Sequence, residues 1–237
     1  MISIDGLSKR FDTRTVLNRI SLEIPAGQAT GIAGPNGSGK TTMIKTILGL
    51  VRPDEGTVTV NGNRLNGNWS YRQEIGYMPQ IGRYPENMTV REMLSFIKKV
   101  RGEEAPGEEE LIQHFGLAAE LDKRLRTLSG GMRQKAGPIL AMMFDPELLI
   151  LDEPTAGLDP ASSVRLKNLL HKEKKRGKTI LLTTHIMSEI EELADHLVLL
   201  VEGSVRYYGP KDDLLEAFEE QRLEKAVAKM MNEEVAA

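Results

Sequence analysis

The segment Gly34-Pro35-Asn36-Gly37-Ser38-Gly39-Lys40-Thr41 constrains the fold of this chain more than any other stretch. Its G-x-x-x-x-G-K-[ST] spacing requires a strand on one side, a helix on the other, and between them a backbone that curls around an anion. Glycines lacking a Cβ permit that curl and let consecutive N–H groups face one ligand. A helix opening at Lys40 adds its positive dipole end. Lys40 is then a point charge for the β and γ phosphates of a nucleotide, and Thr41 offers a hydroxyl to Mg²⁺. The flanks agree, since residues 28–33 read as a buried strand and residues 42–48 as a helix.

An acidic counterpart lies far downstream. Glu147-Leu148-Leu149-Ile150-Leu151 is a short apolar run that ends in Asp152 and Glu153, the pattern of a central parallel strand delivering charge at its C-terminal edge. Asp152 is placed to hold the Mg²⁺ shell. Glu153, one residue beyond, is suited to polarise a water that attacks the γ phosphate. Between the two blocks stands Leu128-Ser129-Gly130-Gly131-Met132, a second glycine turn in which Ser129 is a good N-cap for the helix that follows.

Composition excludes several other classes. With 237 residues the chain suffices for one large α/β domain with a smaller lobe. The absence of Cys rules out disulfides, thiolate metal sites and cysteine nucleophiles. A formal net charge of −3 argues against a nucleic-acid partner. The N-terminus opens directly on an alternating strand with no evident signal peptide. The longest apolar run, Ile139-Leu140-Ala141-Met142-Met143-Phe144, stops at Asp145 and is far too short to span a bilayer. Any transport role therefore needs another chain or domain in the membrane.

Local signals place further elements. Residues 1–27 read as antiparallel strands, and Asn61-Gly62 after residues 56–60 marks a hairpin. Thr89-Val90-Arg91-Glu92 is a capping box opening a helix through Val100, and residues 111–115 form another. Ala136-Gly137-Pro138 falls inside the helix after Ser129, where a kink near Gly137 or a shortened first segment is expected. From about Asp213 the chain is charged and helix-forming, a helix packed on the core and fraying from about Asn232. The eleven Met residues sit mostly at apolar positions as gap fillers. His114, His171 and His196 read as structural or surface residues.

In order along the chain, residues 34–42, Gln80, residues 128–132, Leu151-Asp152-Glu153-Pro154-Thr155, Ala156-Gly157-Leu158-Asp159 and His185 resemble the motif series of ABC-type ATPase subunits. The likeness frames residues 1 to about 212. It implies an α/β fold of the P-loop NTPase kind, with a mostly parallel central sheet, an N-terminal antiparallel β subdomain and an inserted helical subdomain. Residues 1–84 and 128–212 would form the catalytic core, 85–127 the helical subdomain and 213–237 a C-terminal helix. It also implies ATP and Mg²⁺ as ligands. Phe11 stands where the family places an aromatic, more often Tyr, that stacks on adenine. Asn36, Gly37, Ser38, Gly39, Lys40, Thr41 and Thr42 would hold the phosphates. Gln80 would touch Mg²⁺ and the attacking water, and His185 the γ phosphate.

By the same resemblance, Ser129, Gly130 and Gly131 face the nucleotide of a partner subunit, and Asp159 lies in a loop crossing the dimer seam. Two chains, as a homodimer or with a paired ATPase subunit, would sandwich two ATP and power a transmembrane permease from the cytoplasmic face, as peripheral subunits. The single nucleotide domain and Met132 look most like export-type systems. Ile75-Gly76-Tyr77-Met78-Pro79-Gln80-Ile81 with Pro85-Glu86-Asn87 weakly resembles ATPases of copper-enzyme maturation, the nitrous-oxide-reductase type. A non-transport ABC-type ATPase would usually carry two nucleotide domains or a long coiled coil. A P-loop kinase would not need residues 128–132.

Overall fold

The computed structural model describes residues 1–65, 67 and 69–236, and the chain forms two compact units, 1–71 with 179–237 and 72–178. Ala237, the last residue of the expected C-terminal helix, lies outside the described residues.

The first unit starts with β1 (Ile2–Phe11) and β2 (Arg14–Ile24), antiparallel, reversing at Asp12 in a left-handed conformation. After β3 (Ala29–Ala33), buried at every residue, the phosphate-loop segment leads into α1 (Lys40–Ile47). β4 (Glu55–Val60) then pairs with the free side of β1 and with the short β5 (Asn63–Arg64). The turn between β4 and β5 is Asn61-Gly62, with φ of 48° and 75°. Two positive φ values are what a two-residue hairpin needs to match the twist of its strands.

The second unit opens with β6 (Ile75–Met78) and continues through α2 (Val90–Arg101), α3 (Glu108–Phe115), α4 (Gly130–Gln134) and α5 (Ala136–Met142) to β7 (Leu148–Asp152) and α6 (Pro160–Lys175). β6 and β7 are parallel, with Ile75 opposite Leu148. The capping box at α2 forms as expected: the Glu92 amide donates to the Thr89 hydroxyl at 3.1 Å, and the Thr89 amide to the Glu92 carboxylate at 2.8 Å. α3 begins at Glu108, three residues before the expected start, because three successive glutamates favour its N-terminal dipole. Buried Lys178 pairs with buried Glu173 at 2.9 Å.

The expected disturbance at residues 136–138 shows itself as a division of one helix into α4 and α5 at Lys135. Pro138 has no N–H to return to the carbonyl of Gln134, so the ladder opens there while Pro138 sits harmlessly in the first turn of α5. Gly137 lets that turn lie against β6; a Cβ on it would stand 3.2 Å from Met78 Cε.

The chain returns to the first unit with β8 (Thr179–Thr184), α7 (Met187–Leu193), β9 (His196–Val201) and β10 (Ser204–Pro210). β3 lies between β8 and β9 and is parallel to both, and β10 closes antiparallel on β9. The single C-terminal helix expected from Asp213 is instead two, α8 (Lys211–Ala217) and α9 (Leu223–Ala236). The break includes Glu219 in a left-handed conformation, and it allows Leu223, Ala226, Val227 and Met230 to be buried together. Burial of that apolar stripe outweighs the propensity for a continuous helix.

Backbone packing is tightest at Gly76, where a Cβ would lie 1.9 Å from the carbonyl oxygen of Ala141. A methyl there must displace main chain, so Gly76→Ala is expected to lower stability by about 1–3 kcal/mol. Gly130→Ala meets nothing within 4 Å and serves as the control, with a change under about 1 kcal/mol. Urea unfolding of the two variants checks the difference.

Candidate nucleotide site

In the first unit the phosphate-loop segment leaves β3 after Ala33 and reverses through Gly34, Gly37 and Gly39, with φ of 153°, 80° and 111°. At Gly34 and Gly39 no side chain would fit either: a Cβ would lie 2.1 Å from the Leu200 carbonyl oxygen and 2.7 Å from that of Val16. The loop is thus held against β9 and β2 by its own lack of side chains. Lys40, buried as the first residue of α1, donates from Nζ to the carbonyls of Gly34 at 2.7 Å and Pro35 at 3.1 Å. Its ammonium therefore lies over the loop. Ser38 is 2% exposed, and its Oγ has no hydrogen-bond partner among the described residues. A buried hydroxyl of this kind needs an acceptor or donor from elsewhere, and a phosphate oxygen meets that need. Thr41 and Thr42 are half-buried on α1, while Asn36 and Gly37 are exposed at the loop tip.

Phe11, at the end of β1, is 47% exposed, which leaves a ring face open for stacking. Lys9 Nζ stands 5.2 Å from the ring centroid and also pairs with Asp54 at 2.9 Å. That ion pair, with the Arg10 amide on the other oxygen, holds the Asp54 carboxyl below its ordinary range. Arg14 was not evident as a site residue from the sequence. Its guanidinium nitrogen is 3.5 Å from where a Cβ on Gly37 would sit, so the β1–β2 hairpin places a cation beside the phosphate loop. His185 follows β8 and is exposed.

In the second unit β7 is buried throughout and ends at Asp152, 2% exposed. Burial, followed by the nearby Asp152 charge, pushes the Tyr77 hydroxyl up to about 12, so Tyr77 stays neutral. Glu153 turns out of the strand with φ of 50°, a left-handed conformation that a glutamate adopts at a cost. Gln80 Nε2 donates to Glu153 Oε2 at 2.9 Å, and Gln134 Nε2, from α4, donates to the Gln80 carbonyl at 3.3 Å. The unit thus joins Gln80 and Glu153 directly and links both to the helix that Ser129 opens.

Ser129 is the N-cap of α4 as expected, its Oγ accepting the Met132 amide at 3.3 Å. Gly130 is exposed, with open space around its Cα. Asp159, expected in a seam-crossing loop, caps α6: it accepts the Ser162 amide and the Ser162 hydroxyl, each at 2.8 Å, and pairs with Lys135 at 3.1 Å. These partners, the Ser162 amide foremost, hold its carboxyl far below the usual range. Gln134 and Lys135, at the end of α4, carried no motif signal beyond their place after Ser129; contact alone reveals them.

A sequence profile described as ABC transporter matches residues 17–156. The Nod factor export ATP-binding protein I of Burkholderia lata is 37% identical over 221 residues, which are 91% of this chain and 73% of that protein. The linearmycin resistance ATP-binding protein of Bacillus subtilis is 34% identical over 220 residues, 90% of this chain and 70% of its own. Among solved structures, the ATP-binding subunit of an ABC transporter superposes with a TM-score of 0.89 at 31% identity, covering 98% of this chain and 99% of the other. A dimeric ATP-binding cassette in a post-hydrolysis state with ADP and Pi superposes with a TM-score of 0.79 at 25% identity, covering 89% of this chain and 98% of its own. The chain belongs to the ABC transporter family, as an ATP-binding subunit. It is an ATPase, and subunits of this kind dimerise and act with transmembrane partners.

The depressed Asp159 carboxyl has a consequence for stability. A carboxylate whose pKa falls on folding stabilises the native state above its unfolded value, and that contribution is lost as pH drops through the folded value. Asp159→Ala should therefore unfold at lower urea than the parent at pH 7, with a gap constant above about pH 5. The gap should narrow only below the ordinary carboxylate range. Paired urea titrations at pH 7 and pH 3 measure it.

Proposed function

We propose that the chain hydrolyses ATP as one half of a sandwich dimer and powers export by a membrane permease. The Gln80–Glu153 hydrogen bond supports this reading most: it joins, on the ends of β6 and β7, the amide and the carboxylate that water attack on a γ phosphate requires. In this reading Glu153 takes the proton of the attacking water. Phe11 stacks on adenine, and residues 36–42 with Lys40 hold the phosphates. His185 contacts the γ phosphate. Thr41, Gln80 and Asp152 offer a hydroxyl, an amide oxygen and a carboxylate, all hard donors that suit Mg²⁺. Mg²⁺ bound by them would neutralise charge on the β and γ phosphates.

Ser129 and Gly130, exposed, and half-buried Gly131 form a capped turn at a helix N-terminus whose amides suit the γ phosphate held by the partner's loop. Asp159, in the loop entering α6, lies at the seam in this reading. ATP drives closure because it touches two subunits in the closed dimer and one in the open form. Residues 85–127 serve as the helical subdomain, with residues 1–84 and 128–212 as catalytic core and 213–237 as a C-terminal appendage. On α2, Phe96 and Val100 are 53% and 67% exposed, apolar surface fit for a permease's cytoplasmic helix. Among the described residues no helix is long and apolar enough to cross a membrane. In this reading the subunit works peripherally, on the cytoplasmic side of a transmembrane permease. The name of one relative, Nod factor export ATP-binding protein I, favours export. The narrower reading of copper-enzyme maturation rests on residues 75–81 and 85–87 alone.

Glu153→Gln should bind ATP, lose at least about 100-fold in turnover, and accumulate as a closed dimer. Light scattering that finds only monomer with ATP counts against the sandwich. In a mixture of Lys40→Ala and Ser129→Arg chains, each inactive alone, the heterodimer should recover ATPase activity from its one intact composite site. No recovery from stably paired chains overturns the shared site.

A further inference from the structure

His185 is exposed, yet the backbone on both sides of it is tied to one buried group. Thr184, the last residue of β8, donates its hydroxyl proton to Glu189 Oε2 at 2.7 Å. The Thr184 hydroxyl oxygen in turn accepts the Ile186 amide at 3.0 Å. A hydroxyl has a single proton, so giving it to Glu189 leaves lone pairs for the amide, and the two bonds have a fixed direction. The ring closes through the Glu189 amide, which donates to the Ile186 carbonyl at 3.1 Å. Residues 184 and 186 are therefore both anchored through Glu189, and His185 stands between them.

The anchor itself is buried. Thr184 is 2% and Glu189 8% exposed. Glu189 lies in the first turn of α7, and Ile190 of that helix with Ala194 at its C-cap packs on β3 at Gly31. The same helix is fastened from the C-terminal side, where the Leu223 amide donates to Glu191 Oε2 at 3.2 Å and Lys211 Nζ bonds the Glu191 carbonyl. A carboxylate is costly to bury, and one oxygen of this one accepts the hydroxyl next to the histidine.

We propose that Glu189 is a positioning residue for ATP hydrolysis, setting the place of His185 through the Thr184 hydroxyl. The proposal rests on the reading of His185 as the γ-phosphate contact. Small displacements of a group aligned on the reacting atoms are expensive, whereas ATP affinity draws on the whole phosphate loop and the adenine face. The effect should thus fall on turnover and spare substrate binding.

Steady-state ATP hydrolysis by the full chain tests it with Glu189→Ala, Glu189→Gln, Thr184→Val, Thr184→Ser and His185→Ala. Glu189→Ala and Thr184→Val should each lose about 10- to 100-fold in kcat with KM for ATP within about twofold. Glu189→Gln, whose amide oxygen still accepts, and Thr184→Ser, which keeps the hydroxyl, should retain most of the activity. In the His185→Ala background Glu189→Ala should cause no further loss, since non-additivity marks residues acting as a unit. Full kcat in Glu189→Ala, a rise in KM at unchanged kcat, or an equal further loss in the His185→Ala background would each overturn the proposal. Should Glu189→Ala fail to fold, the Thr184→Val and Thr184→Ser pair decides the matter. Wild-type turnover in His185→Ala would sink the histidine reading itself; a slow His185→Ala beside a normal Glu189→Ala sinks only the positioning role.

Discussion

A strand buried on both faces has no room for a charge until it ends, and this constraint organises both units. β3, β7 and β8 are buried at every residue. Each gives way at its C-terminal end to polar or exposed groups: the glycine loop after Ala33, Asp152 as the last residue of β7 with Glu153 just beyond it, His185 after Thr184. β6 does the same with Gln80, two residues past Met78. Within each unit parallel strands deliver their C-terminal ends to the same side, β3 with β8 in the first and β6 with β7 in the second, so the hydrophobic effect that buries them also decides where charges can stand.

At those ends the chain accepts local strain in return for reach. Glu153 adopts a left-handed backbone, and the loop at Gly34 and Gly39 leaves no space for a side chain. Both are maintained by stiff surroundings: β9 and β2 behind the loop, and the Gln134–Gln80–Glu153 chain of hydrogen bonds around the carboxylate. Lys40 folded onto the Gly34 and Pro35 carbonyls keeps a buried ammonium satisfied by main-chain oxygens. In the proposed cycle phosphate oxygens compete for that ammonium, which makes the loop a site whose charge is already in position.

Local chemistry was readable wherever a few adjacent residues suffice. The capping box at Thr89, the Asn61-Gly62 turn, the Ser129 cap and the loop around Lys40 each need only short-range geometry, and each forms where the spacing places it. Division of the helix after Ser129 was legible too, because a proline's missing N–H is a property of the residue. What could not be read were partners distant in sequence. Arg14 beside Gly37, Lys135 on Asp159 and Glu189 on Thr184 involve ordinary charged residues with no motif around them. β9 and β10 were likewise unmarked, since an apolar run such as Leu197-Val198-Leu199-Leu200 fits a buried strand and a buried helix equally well.

The sequence by itself determined the class of the protein and the places of several caps, turns and loops, because glycine, proline, cap and loop signals act within a turn or two of their own position. Only the tertiary structure decided which carboxylate anchors the histidine loop, where the C-terminal helix breaks and which second cation stands beside the phosphate loop. Those outcomes depend on which side chains packing brings together, and packing is a property of the assembled core rather than of any window along the chain.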